Sequence, residues 1–151
     1  MVAGRPFVWE KSYPDGIAWD TPIRTDTLPG LLDRAVTAFA DKPALEFRGR
    51  RITYAALARL ADRAAAGLIA LGVTPGTTGG LYLPNSPDYL VALFGALRAG
   101  ARIVQLSPLD AERELAHKLK DSGARIVVTL NVDPLLPLAL TSTHRAVRAL
   151  G

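Results

Sequence analysis

The strongest constraint on the fold is an apolar segment that runs directly into a well-capped helix. Residues 81–83 are apolar, Pro84-Asn85 turns the chain, and Ser86-Pro87 begins a helix. Serine suits the N-cap because its hydroxyl can accept a hydrogen bond from a first-turn amide. Proline suits the next position because its φ is already helical. A buried strand followed at once by a helix is the start of a βαβ unit.

The same pattern recurs downstream. Residues 102–106 read as a strand, residues 111–122 as a helix and residues 125–130 as another strand. The sequence therefore predicts an α/β fold, a partial doubly wound βαβαβ parallel sheet flanked by helices. Three parallel strands are fewer than such sheets normally contain, and their faces need cover on both sides. We expect the chain to be a subdomain of something larger or to have a partner.

The first part of the chain divides into two regions. Residues 1–26 form an extended arm, because Pro6, Pro14, Gly16 and Pro22 break any periodic pattern. Trp9, Tyr13 and Trp19 are its expected anchors. Residues 27–151 form the α/β subdomain.

The remaining elements follow from hydrophobic periodicity. Apolar spacings of three and four residues predict helices at 27–40 and 54–71. Short strands at 44–47 and 51–53 predict a small hairpin about a glycine turn. Residues 132–150 are rich in leucine and predict one or two short helices.

Several short motifs occur in an order that resembles the N-terminal region of AMP-forming acyl-CoA synthetases, members of the adenylate-forming superfamily. The motifs are Arg51-Ile52-Thr53-Tyr54-Ala55-Ala56-Leu57, Leu83-Pro84-Asn85-Ser86-Pro87, Leu97-Arg98-Ala99-Gly100-Ala101, Ser107-Pro108-Leu109, Arg113-Glu114-Leu115 and Lys120-Asp121-Ser122-Gly123-Ala124. The resemblance covers roughly residues 28–131. The arm is similar to the lead-in of the long-chain fatty acyl branch.

The resemblance implies the activity of a parent enzyme rather than of this chain alone. Such a parent activates a carboxylic acid with ATP to acyl-AMP and pyrophosphate, then transfers the acyl group to coenzyme A. ATP, Mg and coenzyme A are implied for the parent, and none is expected to bind tightly here. The family's phosphate loop and catalytic lysine lie beyond the length given. We expect no catalytic residue in the chain and no adenylation by it, and we expect its partners to be the rest of the ligase and a fatty acid.

A Gly- and Thr-rich segment, residues 74–80, resembles a phosphate-binding loop of such enzymes. Backbone amides in loops of this composition cradle phosphates. The basic residue that should follow is absent, since Leu81-Tyr82 stands there, and the position corresponds to the family's lead into a strand. Short Gly-rich matches are often accidental. We interpret the segment as a turn whose Gly79 and Gly80 weaken the next strand.

Asn85 and Ser86 are the candidate cofactor-binding residues. They follow a parallel strand, and ligands of open α/β sheets bind at that end. The functional interpretation is one wall of a nucleotide or pantetheine site, and the alternative is a local turn with Ser86 as helix cap. Helix 111–122 lacks a capping residue at Ala111, so Asp110 is the expected substitute.

Composition limits the other functions. Zero cysteines and two unclustered histidines, His117 and His144, give no metal site. The net charge of +4 is spread along the chain without interleaved aromatic residues, so nucleic-acid binding is not expected. No apolar run reaches the ~20 residues of a membrane span, and we expect a cytoplasmic protein.

One alternative from another class stays open. The chain can be a stand-alone truncated homologue that acts as an interaction or oligomerisation module. Exposed strand edges are templates for pairing, so a homo-oligomer is expected in either case.

Overall fold

Two separate sheets organise the chain, which the computed structural model describes at residues 7–23, 25–142 and, for the backbone, 146–150. The helices are α1 (Leu28–Phe39), α2 (Tyr54–Ala70), α3 (Pro87–Arg98), α4 (Glu112–Ser122) and α5 (Leu135–Thr141). The strands are β1 (Pro43–Phe47), β2 (Arg50–Thr53), β3 (Thr78–Tyr82), β4 (Arg102–Leu106), β5 (Ile126–Leu130) and β6 (Ala146–Leu150). The predicted α/β fold is confirmed.

The parallel sheet is doubly wound. Its strand order is β4-β3-β5-β6, while β1 and β2 form the predicted antiparallel hairpin. The chain passes from β3 through α3 to β4 at one edge, then returns through α4 to β5 on the other side of β3. The winding direction therefore reverses between β3 and β5, whose following connections run to opposite sides of the sheet. In open α/β sheets such a reversal lies beside the ligand crevice.

The three predicted parallel strands are present, but the prediction of only helices at 132–150 was wrong. Helix α5 is present, but residues 146–150 form a fourth parallel strand, with Ile126 opposite Ala146 and Leu130 opposite Leu150. Five residues with two alanines carry little strand preference of their own. The pairing with β5 decides the outcome, because strand formation depends on neighbours more than on intrinsic preference.

Helices cover both faces of this sheet. On one face Leu81, Leu83 and Val128 pack against residues of α2 and α3. On the other face Tyr82 and Val127 pack against residues of α4 and α5. A third apolar cluster joins α1, α2 and the hairpin. Successive residues of one strand therefore pack into two different cores on opposite faces of the sheet, as expected for a parallel sheet buried on both sides.

Helix α3 is apolar nearly all round, and it is buried on more than one side. It lies between α2, α1 and the sheet, with Ala92, Gly95 and Ala96 buried. Near its end, Arg98 donates to Asp33 of α1 and to Asp62 and the Ala58 carbonyl of α2. One guanidinium thus joins three helices.

The Gly-rich segment is only partly a turn. Residues 74–77 turn the chain, but Gly79 and Gly80 are buried residues of β3. A Cβ on Gly80 would lie 2.9 Å from Cδ1 of Leu106 and 3.3 Å from Cδ2 of Leu119. Glycine is therefore the residue that lets β4 and α4 pack closely on the backbone of β3. The expectation of a turn was wrong for residues 78–80.

The arm is described from Phe7 to Ile23 and again from Thr25. Its aromatic side chains pack on one another: Phe7 stacks on Trp9 at 4.5 Å and meets Trp19 edge-on at 5.1 Å. Trp9, Tyr13 and Trp19 keep between 39% and 48% of their surface exposed. Residues 1–6, 24, 143–145 and 151 lie outside the described part, and with them the predictions for the start of the arm and for His144.

Candidate functional site

Three loops meet at the carboxyl edge of the parallel sheet. They follow β3 at residues 83–86, β4 at 107–111 and β5 at 131–134. All three strands run in the same direction, so their ends lie side by side. This edge is where ligands bind in folds of this type.

A cleft opens between the ends of β3 and β4. It encloses about 590 Å³, inside the roughly 300–1,000 Å³ of small-molecule sites. Its lining is mostly apolar with two carboxamides, two hydroxyls and one ammonium group: Leu83, Pro84, Asn85, Tyr89, Gln105, Leu106, Ser107, Pro108, Leu109 and Lys118. An apolar cleft with a few polar groups is the usual form of a small-ligand site.

The two predicted site residues take different positions. Asn85 is exposed and lines the cleft. Ser86 occupies the N-cap of α3, but its hydroxyl makes no capping hydrogen bond and is buried without a partner among the described residues. The expected capping bond of Ser86 is therefore absent. Pro87 and Asp88 alone supply the favourable helix start, through a preset φ and a negative charge near the helix dipole.

The loop after β4 is fixed by its own hydrogen bonds. The Ser107 amide donates to Oδ2 of Asp110 at 2.9 Å, and the Asp110 amide donates to the Ser107 carbonyl at 2.9 Å. The Leu109 amide donates to Oγ of Ser107 at 3.1 Å. Leu109 itself is 94% exposed at the tip of the loop. The cleft therefore has one ordered wall that ends in an apolar side chain.

Asp110 does not cap α4 as expected. The N-cap is Ala111, without a side-chain bond, because the Asp110 carboxylate turns back to the Ser107 amide and to Lys118. Nζ of Lys118 lies 2.8 Å from Oδ1 of Asp110 and 2.9 Å from Oε1 of Glu114. The Asp110 side chain is 8% exposed, so an unpaired charge there would be costly.

The electrostatics of this ion pair favour the charged forms of both partners. The hydrogen bond from Lys118 holds the pKa of Asp110 below its usual value, against the opposing effect of burial. The same bond and a second one to Glu114 raise the pKa of Lys118. Lys118 therefore carries a full positive charge that two carboxylates already neutralise.

Two buried hydroxyls lie next to this network. Tyr82 and Thr129 are opposite each other in the register of β3 and β5, and both are fully buried. Neither hydroxyl has a hydrogen-bond partner in the described chain. Burial raises the pKa of Tyr82, and the negative charge of Asp110 adds to the rise. Tyr82 therefore stays neutral and provides packing rather than acid–base chemistry.

The described residues contain no candidate metal site. No group of three or more His, Asp or Glu side chains lies close enough there to hold a metal ion. His117 is exposed on α4, beside Arg113 and Glu114. Across the same residues, no helix combines the length and the apolar character that a bilayer crossing requires.

Sequence reasoning missed most of the cleft. Gln105, Ser107 and Lys118 line the cleft but were not predicted as site residues. The signal was available for Ser107, because it follows a parallel strand as Asn85 does. Lys118 gave no such signal, since its contact with Asp110 depends on how α4 folds back over the loop.

The fold is that of the adenylation subdomains of larger enzymes. The N-terminal subdomain of NpsA from Klebsiella oxytoca superposes with a TM-score of 0.74 at 24% identity, over 83% of this chain and 32% of that one. The anthranilate CoA ligase AuaEII, in complex with anthranoyl-AMP, gives a TM-score of 0.74 at 25% identity, over 82% of this chain and 24% of that one.

Sequence comparison gives the family. The model of the AMP-binding enzyme family matches residues 32–150. A long-chain-fatty-acid–CoA ligase of Bacillus subtilis is 33% identical over 87% of this chain and 23% of its own length. The corresponding ligase of Salmonella typhimurium is 38% identical over 82% of this chain and 22% of its own length. The chain belongs to the AMP-binding enzyme family, and it spans less than a quarter of these relatives.

Proposed function

We propose that this chain is the N-terminal part of a fatty acid–CoA ligase. The whole enzyme activates a carboxylic acid with ATP to acyl-AMP and pyrophosphate, and then transfers the acyl group to coenzyme A. The observation that carries the proposal is the family match over residues 32–150 together with the curated fatty acid–CoA ligases at 33–38% identity. Such a ligase works on the ATP and coenzyme A of the cytoplasm.

The described residues alone do not fit ATP and Mg. A triphosphate needs free donors and cations, whereas the one cation that lines the cleft, Lys118, is already bound to Asp110 and Glu114. No acidic cluster among these residues offers the oxygen ligands that Mg²⁺ prefers. We therefore derive no adenylation step from this chain, and we infer that it is inactive alone.

Within the whole enzyme, the chain contributes the wall of a binding site. Asn85 is the first proposed contact because its exposed carboxamide lies in the cleft at the carboxyl edge of the sheet. Ser86, next to Asn85, is the second proposed contact; its hydroxyl has no partner in the described chain but is buried, so it must turn outward to reach a ligand. The ordered loop Ser107–Asp110 forms the opposite side.

The test compares the chain with the longer product of its coding region. With palmitate, ATP, Mg²⁺ and coenzyme A, we expect the longer protein to form palmitoyl-CoA and to release AMP and pyrophosphate. The 151-residue chain should form neither acyl-AMP nor acyl-CoA. Acyl-AMP from the chain alone would overturn the inferred inactivity, and a longer protein without acyl-CoA formation from any fatty acid would overturn the proposal.

A second candidate function follows from the edge of the sheet. Within the described residues, β4 pairs on one side only, with β3. An open strand edge can pair with another chain. We therefore keep a stand-alone module that oligomerises as the alternative, and we propose self-association of the chain in either case.

A further inference from the structure

We propose that two copies of the chain join along β4, antiparallel about a twofold axis through Val104. Arg102 of each copy then lies beside the acidic start of α4 in the other copy. This interface rests on the self-association proposed above, and it specifies the partner, the register and the charges that orient the two copies. A second copy is the partner because the edge of β4 complements itself in both hydrogen bonds and charge.

The outer side of β4 presents backbone groups that no described strand pairs. Among the described residues, β4 pairs with β3 alone. The Arg102 amide donates to the Thr77 carbonyl at 2.8 Å, so it faces the β3 side. Backbone groups alternate between the two sides of a strand, so the N–H and C=O groups of Ile103 and Gln105 face outward. The edge therefore offers two donors and two acceptors.

One antiparallel register uses all of these groups. If Ile103 lies opposite Gln105 of the second copy, symmetry repeats the pair, and each pair exchanges two hydrogen bonds. The twofold axis then passes through Val104. An axis through Ile103 would need the Ala101 amide, and an axis through Gln105 would need the Ser107 amide. Each of these amides already donates within its own chain, so both alternatives lose hydrogen bonds.

The same register fixes the position of Arg102. It lies opposite Leu106 of the second copy, and directly opposite residues of paired strands share one face of the sheet. That face is the one covered by α4, since Leu106 packs in the same core as Leu115. Arg102 of one copy therefore lies on the α4 side, where β4 of the other copy ends and its α4 begins.

Carboxylates outnumber cations at the start of α4. Asp110 precedes the helix, and Glu112 and Glu114 lie in its first turn. The cations there are Arg113 and Lys118, and the Lys118 ammonium group contacts Asp110 and Glu114 at 2.8 and 2.9 Å. This region therefore has one negative charge in excess, and an incoming cation is favoured over an anion.

Arg102 supplies the opposite charge. Its side chain is exposed and its Nε donates to the Gly76 carbonyl at 3.0 Å, but it forms no ion pair with a carboxylate of the described chain. Each copy thus contributes one unpaired cation and one acidic surface, and twofold symmetry forms the contact twice. Exposed ion pairs add little affinity, so these contacts select the partner and its orientation.

The first experiment tests the register by disulfide cross-linking, since the chain contains no cysteine. Val104 lies opposite its own copy as a non-hydrogen-bonded pair, with Cα atoms about 4.5 Å apart, within the range that a disulfide spans. With diamide as a mild oxidant, Val104→Cys should form a covalent dimer. Gln105→Cys is the matched control, because its two copies are diagonal neighbours about 7–8 Å apart, beyond the usual reach of a disulfide.

The second experiment tests the charges by sedimentation equilibrium at low ionic strength. Arg102→Glu should raise the dimer Kd about fivefold to thirtyfold, because it replaces attraction by repulsion at two symmetric contacts. Glu112→Lys should act in the same direction, and the double variant should return the Kd close to its original value. Glu112 is exposed and lies outside the Lys118 ion pairs, so its replacement leaves them intact.

Arg125→Glu is the control for the charge variants. Arg125 is also exposed, and it precedes β5, away from the outer side of β4. The substitution changes the net charge by the same amount as Arg102→Glu. It should leave the dimer Kd unchanged.

The outcomes separate this interface from the proposals on which it rests. A covalent dimer of Val104→Cys no more abundant than that of Gln105→Cys overturns the register, and equal effects of Arg102→Glu and Arg125→Glu overturn the charge contact. If the chain still self-associates, its self-association stands and only this interface fails. A monomer at every concentration removes both. Formation of acyl-CoA by the longer protein decides the ligase proposal independently of all these results.

Discussion

Gly95 and Gly67 both lie inside helices, but only Gly95 faces another helix closely. A Cβ on Gly95 would lie 2.6 Å from Cβ of Ala64 and 3.1 Å from the Ala61 carbonyl oxygen, whereas a Cβ on Gly67 would meet nothing within 4 Å. The two glycines therefore have opposite roles. Gly95 permits close packing of α2 and α3, while Gly67 only adds flexibility to α2.

Substitution of these glycines by alanine should change stability in opposite directions. Gly95→Ala forces α2 and α3 apart and should lower the free energy of unfolding by about 1–3 kcal/mol. Gly67→Ala should raise it by roughly 0.4–1 kcal/mol, through a better helix preference and a less flexible unfolded chain. Urea denaturation of both variants measures the difference. Equal effects of the two substitutions would contradict the packing described for α3.

The buried hydroxyls of Tyr82 and Thr129 give a second prediction for single residues. Neither has a partner in the described chain, so each pays the cost of leaving water without a replacement bond. Tyr82→Phe and Thr129→Val remove the hydroxyls at nearly constant shape and should leave stability unchanged or raise it by about 1 kcal/mol. A loss above 1 kcal/mol in thermal or urea unfolding of either variant would show that the hydroxyl is satisfied.

For single residues, the sequence predicted one residue that lines the cleft, Asn85. It did not predict the ion pair between Asp110 and Lys118. Asn85 was found because its position after an apolar strand is visible in the sequence. Asp110 was expected to cap α4, and nothing local indicates that its carboxylate turns back to the Ser107 amide and Lys118. A contact between residues eight positions apart, across a loop and two helical turns, depends on the packing of α4.

Between elements, Arg98 is the main polar connection of the helical layer. Its side chain is 15% exposed and bonds to both α1 and α2. Arg98→Ala should lower the free energy of unfolding by about 1–3 kcal/mol, since it removes charge-assisted bonds and leaves the Ala58 carbonyl without this donor. Arg51→Ala breaks an exposed pair with Glu46 and should cost under about 1 kcal/mol. Similar losses of stability in both variants would contradict the role of Arg98 as the main polar connection between these helices.

The loop between β4 and α4 should make the free energy of unfolding depend on pH in the acidic range. The bond from Lys118 lowers the folded-state pKa of Asp110 below the ordinary 3.8. Between the two pKa values the unfolded chain binds more protons, so this stabilisation is complete above about pH 3.8 and is lost as pH falls through the folded pKa. Asp110→Asn should remove that part of the acid sensitivity, measured by urea unfolding at several pH values. If the free energy of unfolding of the variant keeps the same dependence on pH, the stabilising role of the Asp110 carboxylate is contradicted.

Element boundaries were predictable where local chemistry sets them. Helix α2 begins after Thr53, whose hydroxyl accepts a bond from the Ala56 amide, and Gly72 ends the turn after it with φ of 87°. Strand β6 was not predictable, because residues 146–150 become a strand only through pairing with β5. Gly80 was misassigned for the same reason, since its neighbours on β4 and α4 determine the need for glycine.

At the scale of the whole molecule, the β4 edge should drive self-association. Gln105 is an exposed position on this strand, and a lysine at an edge discourages pairing. We expect the chain to form dimers or larger species at high concentration in sedimentation velocity, and Gln105→Lys to reduce them. Asn131→Lys adds the same charge away from the edge as a control. A monodisperse monomer at every concentration would contradict this prediction.

The overall architecture was predictable, because alternating strands and capped helices leave few topologies other than a parallel doubly wound sheet. The position of the cleft could be predicted from the sequence only in part. The rule for carboxyl ends of strands indicates the edge, but the choice between the neighbouring strand pairs depends on where α3 and α4 open a space. The resemblance of the motifs identified the family, which the match over residues 32–150 confirms.

The central claim, that this chain is part of a longer ligase, is tested most directly by the intact mass of the natural protein. The chain alone has a mass of 16.1 kDa, and it spans 22–23% of the fatty acid–CoA ligases it matches. The intact mass of the protein purified from its native source should be several times larger. The added sequence should contain a Ser/Thr/Gly-rich loop followed by a lysine. A natural protein of 16.1 kDa would contradict the claim and leave the open edge of the sheet as the functional surface.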